Sequence, residues 1–248
     1  PVIDNQWEMG WQMLNKMGNS PDFVKLTAEV PIMLISLAFG LLVYLWAKEL
    51  FGKKAGLFAL VLYVFNTGII AHSRFVTTDL GISAAFFLST YAVYKYIKKP
   101  NWKTVIWAGL AFGVVLVTKF SAAVLAPTYL IVWVMLMLKK GTEENKPLLE
   151  QINDKDWKKR ALSGLVGFAS IVLIGVTAMW LFYIPHTINM PAQVQRDLIA
   201  ESQVGPFTAP LQAMSGNVLT KPLAQWLLGF TMVTAHVEGG HDAFLLGM

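Results

Sequence analysis

Long apolar runs fix what this chain can fold into. Six of them stand at about residues 31–50, 55–70, 80–97, 104–118, 122–138 and 161–183. A helix needs about 20 apolar residues to cross a bilayer core, with a range of about 17–25. The second and fourth runs are short and suit positions among other helices or in thinned bilayer. Only 14% of the residues are charged and 55% are hydrophobic. A soluble domain carries about 25% charged residues, so a multi-span membrane protein is the economical reading. The expected fold class is all-α, a polytopic membrane helical bundle of six spans.

The basic residues orient it. With the N-terminal segment outside, three connections face the cytoplasm. They carry Lys48, Lys53 and Lys54; Lys95, Lys98, Lys99 and Lys103; and Lys139, Lys140, Lys146, Lys155, Lys158, Lys159 and Arg160. Of the 20 Lys and Arg, only Lys16, Lys25, Arg74, Lys119, Arg196 and Lys221 fall elsewhere. That asymmetry satisfies the positive-inside rule. The net charge of +5 therefore follows the membrane and gives no sign of nucleic acid. With no cysteine, disulfides and Cys-ligated metals are excluded.

Three regions follow. Residues 1–25 form an outer-face interfacial segment, with Trp7, Trp11 and Leu14 at the i, i+4, i+7 spacing of one helix face. Residues 26–183 form the transmembrane core. Residues 184–248 form a long outer-face loop, in which 222–235 is short enough to be an interfacial or re-entrant helix. The start "PVIDNQWEMG" and the end "HDAFLLGM" suggest an internal piece of a longer protein.

Chemistry collects at the outer face. The stretch "AHSRFVTTDLG", residues 71–81, puts His72, Arg74 and Asp79 between two apolar runs. Ionisable groups at a membrane boundary are costly and point to function by default. Each also has a plainer reading. Asp79 could be a helix N-cap, Arg74 could snorkel to headgroups, and His72 could cap the preceding helix C-terminus. Alternatively Arg74 could grip a phosphate with its planar fork, and His72 could bind a metal or a phosphate. In "VTKFSA", Lys119 interrupts two apolar runs at the outer side, against the charge bias. It either snorkels or pairs with a phosphate or a carboxylate such as Asp79. In "GGHDAFLLG", His241 and Asp242 either belong to an ordinary polar loop or bond hydroxyls or a metal. No HExxH, P-loop or GxGxxG pattern occurs, so zinc-protease and nucleotide-hydrolysing chemistry have no support.

"RFVTTDLG", then "LVTKFSA" two spans later, then "GGHDAFLLG" in a long outer loop resemble the lipid-carrier-dependent glycosyltransferases. The resemblance is narrower to the protein O-mannosyltransferase-like branch, which includes aminoarabinose transferase relatives. "AKELFGKKAGLFALVLYVFNTGIIAHSRFVTTDLG" carries it most specifically, and it is strongest between residues 31 and 135. It implies a C-type glycosyltransferase core with its site on the outer face of a plasma or inner membrane. The activity implied is that of a hexosyl or pentosyl transferase. A sugar passes from a polyprenyl-phosphate donor to a hydroxyl of protein, lipid or glycan. The family's catalytic base, an acidic residue in the first outer loop, is expected before Pro1; Asp4 and Glu8 do not match its context. This piece alone is therefore expected to be inactive. Asp79 matches the family's second acidic position, near the donor phosphate or a bound cation. Lys119 matches the lysine of the "TK" motif. Arg74 and His72 are the remaining donor-phosphate candidates, and His241 and Asp242 candidates for a substrate or loop site. A divalent metal, with Asp79 as a ligand, is the one cofactor implied. Glu29 departs from the pattern, since the family commonly has arginine there.

A transporter or flippase of a lipid-linked or anionic solute is the competing class. Transporters show midplane charges and broken helices, whereas here the ionisable groups sit at the boundary. A membrane scaffold is a third class, in which the outer-face cluster is incidental.

Overall fold

A computed structural model describes residues 6–138, 157–202 and 204–238. Among the described residues there are eleven α-helices, two short 3-10 turns and no strand, as the all-α expectation requires. The chain divides into two compact units, Pro1–Tyr91 and Ala92–Met248.

The first unit holds α1 (Gln6–Asn15), α2 (Pro21–Phe51), α3 (Lys53–Val64), α4 (Thr67–His72) and the start of α5 (Thr78–Lys98). Helix α2 begins well ahead of its apolar run, with Pro21 in its first turn and Asp22 beside it. Both suit a helix start: proline has no N–H to leave unpaired, and a carboxylate favours the positive dipole end. Pro31 lies inside α2 without ending it. The polar turns before it add an i,i+4 ion pair, Lys25–Glu29 at 3.9 Å. The boundary drawn between residues 25 and 26 falls inside this helix.

Gly52, at φ +88°, reverses the chain, and its N–H returns to the Lys48 carbonyl at 2.9 Å. Only glycine takes that conformation cheaply. The reversal lays α3 along α2. At Gly40 a β-carbon would stand 2.8 Å from the Tyr63 ring, and the Tyr63 hydroxyl donates to the Ser36 carbonyl at 2.8 Å. At Gly56 it would stand 2.9 Å from the Tyr44 carbonyl oxygen. Small residues of this kind let helices approach closely in membranes.

The run at 55–70 is not one helix, which corrects the second expected span. Helix α3 stops at Val64, and the extended Asn66 starts α4 by accepting from the Ile69 N–H at 3.0 Å. An Asn side chain that bonds nearby backbone competes with helix continuation.

The second unit contains the rest of α5, then α6 (Trp102–Thr118), a 3-10 turn (Phe120–Val124), α7 (Leu125–Leu138), α8 (Trp157–Thr187), α9 (Ala192–Glu201), a 3-10 turn (Gly205–Phe207), α10 (Thr208–Met214) and α11 (Lys221–Glu238). Asn101 starts α6 with a reciprocal cap: its side chain accepts from the Lys103 and Thr104 N–H groups, and Thr104 Oγ1 accepts from its own. Helix α6 packs along α8 through Gly109, Gly113 and Gly175. After α8, Ile199, Val204, Leu211, Ala224 and Leu228 form a small core under α9, α10 and α11. Two buried polar contacts brace it. Lys221 Nζ donates to the Met190 carbonyl at 2.9 Å, and Gln195 Nε2 donates to the Lys221 carbonyl at 3.1 Å.

Among the described residues, two helices are long and apolar enough to cross a membrane, over Pro21–Phe51 and Leu162–Thr187, while Trp102–Thr118 and Phe120–Met135 are shorter apolar helices. Their apolar side chains face outward: Leu37 is 72% exposed, Phe58 on α3 65% and Leu173 67%. Water would not tolerate so continuous an apolar surface on a monomer. Hydrocarbon does, and the protein is membrane-embedded.

Candidate functional site

The turn at residues 72–79 is built from two helix ends. Helix α4 closes on Ser73, whose N–H bonds the Ile69 carbonyl at 2.8 Å and whose hydroxyl bonds the Ile70 carbonyl at 2.9 Å. The last carbonyls of the helix are thus met locally. His72 lies in that last turn with its ring exposed. A three-residue turn follows, Thr77 N–H to the Phe75 carbonyl at 2.8 Å. Arg74 is exposed, and so are Phe75 and Val76 beside it, at 54% and 61%. A guanidinium flanked by bare apolar side chains fits a headgroup level, where one phase takes the rings and the other the charge.

Asp79 is the second residue of α5, exposed, and not its cap. The N-cap reading gives way to a first-turn carboxylate, which the helix dipole stabilises by about 0.3–1 kcal/mol. Its backbone carbonyl accepts the Ser83 hydroxyl at 2.8 Å. Leu80 and Ile82, both buried, anchor this end of the helix. His72, Arg74 and Asp79 thus share one short connection in the first unit.

Lys119 lies in the second unit. It breaks α6 from the following turn with an extended backbone, φ −160° and ψ 143°. Its N–H reaches the Val115 carbonyl at 3.3 Å, and its own carbonyl accepts from Ala122 at 3.0 Å. The side chain is exposed. Around it are residues the sequence reading did not single out. Trp226 Nε1 donates to the Leu116 carbonyl at 2.9 Å. The Phe120 ring fills the space a β-carbon would need at Gly229. The local signal for these was the "WLLGF" of α11, with Trp226 and Phe230 one helical turn apart. Nothing local tied it to Lys119.

His241 and Asp242 lie outside the described residues. Glu29, the departure from the family pattern, is only 6% exposed, with Lys25 as an ion-pair partner. Among the described residues no three His, Cys, Asp or Glu are grouped so as to hold a metal ion. Asp79 alone would give a divalent ion one ligand, with phosphate oxygens and water as the others.

A family model described as dolichyl-phosphate-mannose-protein mannosyltransferase matches residues 22–153. The match spans the 72–79 turn, Lys119 and Glu29; α11, His241 and Asp242 lie beyond it. No curated protein and no solved structure matches the chain.

Proposed function

The chain belongs to the dolichyl-phosphate-mannose-protein mannosyltransferase family, and from that premise we propose that it moves a sugar from a polyprenyl-phosphate donor to a hydroxyl acceptor at the outer face of the membrane. The observation that carries the reading is the span of the family match. It takes in two exposed cations and a helix-start carboxylate, each beside an apolar run.

The reaction divides along the donor. An acceptor hydroxyl oxygen attacks the anomeric carbon and its proton goes to a base, for which the resemblance implies an acidic residue of the first outer loop. The bond from that carbon to the phosphate oxygen breaks, and polyprenyl phosphate leaves with the electron pair. Charge grows on the leaving phosphate as this bond breaks. Cations already in place there favour the transition state over the ground state. We assign that role to Arg74 and Lys119, with His72 as a further donor. Asp79 bonds the sugar or orients a cation near the phosphate. The lipid tail lies along the apolar spans. The reading includes a multi-pass topology and a periplasmic or extracellular active face.

The test uses the full-length protein in lipid vesicles with a labelled polyprenyl-phosphate sugar and a hydroxyl-bearing peptide, lipid or glycan. Labelled acceptor and free polyprenyl phosphate should appear together. Movement of intact donor between leaflets, with no sugar transferred, would replace this reading with the transporter.

A further inference from the structure

Lys119 stands on a turn braced by a residue far along the chain. Helix α6 ends at Thr118, and a helix end leaves its last carbonyls without donors from the helix itself. One of these, at Leu116, receives the indole N–H of Trp226, 110 positions away, at 2.9 Å. Directly after Lys119, the Phe120 ring sits in the notch at Gly229 and meets the Trp226 ring edge-on at 5.8 Å. Trp226 in turn stacks on Phe230, with the centroids 5.7 Å apart and the planes 4° from parallel. The turn is therefore clamped before and after the lysine, while the lysine side chain stays exposed. Indole has one N–H and no acceptor, and here that N–H is committed to the chain's own backbone.

We propose that Trp226 is a positioning residue for Lys119: by tying the end of α6 to α11 it aims the ammonium at the donor phosphate. This rests on the reading that Lys119 binds that phosphate. It also gives α11 a task, as the brace under Lys119. A lysine has a flexible stem, so the direction of its charge depends on how firmly its backbone is held. A displacement of about 1 Å in a positioned group can cost roughly 100-fold in rate.

The test uses the full-length protein in detergent and four variants: Trp226→Phe, Gly229→Ala, Lys119→Gln, and Trp226→Phe combined with Lys119→Gln. Trp226→Phe keeps a six-membered aromatic ring and removes the N–H together with the five-membered ring that carries it. Gly229→Ala displaces Phe120 from the opposite side and serves as the second probe. Two quantities are read: amide hydrogen exchange over residues 113–124, and kcat and KM for a polyprenyl-phosphate sugar. Both Trp226→Phe and Gly229→Ala should speed exchange in that segment. Each should lower kcat/KM by about 3- to 10-fold, the effect of losing one neutral hydrogen bond or its equivalent. In the Lys119→Gln background, Trp226→Phe should cost less than about twofold, because nothing is left to aim. Unchanged exchange in both single variants overturns the brace. Faster exchange with a full, additive loss beside Lys119→Gln overturns the action through Lys119. A silent Lys119→Gln overturns the phosphate reading on which the proposal rests, and the exchange data show whether the brace itself stands.

Discussion

Gly113 of α6 and Gly175 of α8 face each other across their helices. A β-carbon added at Gly113 would come within 3.1 Å of the Gly175 carbonyl oxygen, and one at Gly175 within 3.2 Å of the Gly113 nitrogen. Gly109, one turn earlier, would meet Ile174 Cβ at 2.5 Å. The two backbones touch because neither carries a side chain there. In hydrocarbon, close packing of this kind holds helices together, since lipid competes evenly for any apolar face.

Gly109→Ala and Gly113→Ala should each destabilise the protein by about 1–3 kcal/mol, the range for overfilling a packed contact. Gly10→Ala, with open space around it in α1, should be neutral or stabilising by up to about 1 kcal/mol. Thermal unfolding in detergent checks this. Equal midpoints for all three variants would mean that the α6–α8 contact is looser than it stands here.

The chain contains no cysteine, so single cysteines report topology without background. A cysteine at Ser73 should react with an impermeant thiol reagent added from outside, and one at Thr142 should not. The reverse pattern would turn the protein over and place the 72–79 turn on the wrong side for the proposed site.

Asp79→Asn should abolish or strongly reduce sugar transfer in the full-length protein while insertion is retained. Asn is nearly isosteric and also tolerated at a helix start. The structural loss includes the dipole interaction, about 0.3–1 kcal/mol. Wild-type transfer by a correctly inserted Asp79→Asn protein would leave the carboxylate with that structural role alone.

Arg74→Gln and Lys119→Gln should each weaken donor use. A charge-assisted hydrogen bond to phosphate is worth about 1.5–3 kcal/mol, or roughly 10- to 150-fold in kcat/KM. A raised donor KM with constant kcat would mean a contact made equally before and during bond breaking; a lowered kcat would mean leaving-group stabilisation. A snorkelling side chain has water and headgroups as alternatives, and its loss would be nearly silent. Donor titration in detergent or bilayer separates the two.

Hydropathy and charge along the chain sufficed for the all-helical class, because crossing hydrocarbon demands that backbone groups bond within each helix. Local chemistry also marked the 72–79 turn, where polar groups crowd between apolar runs. The break at Asn66 was written just as locally, in an Asn that caps a new helix, yet apolar residues on both sides hid it in a hydropathy reading. What tertiary structure alone decided is which faces meet protein. On a membrane helix the side toward lipid and the side toward a neighbour are both apolar, so no polar stripe separates them. Leu37 and Leu173 therefore stay exposed while Ala108 and Ile171 are buried, with little in the one-dimensional pattern to tell them apart. The same holds for the Trp226 bond to Leu116. An indole N–H and a helix-end carbonyl each need a partner, but nothing in either segment names the other until α11 packs against the end of α6.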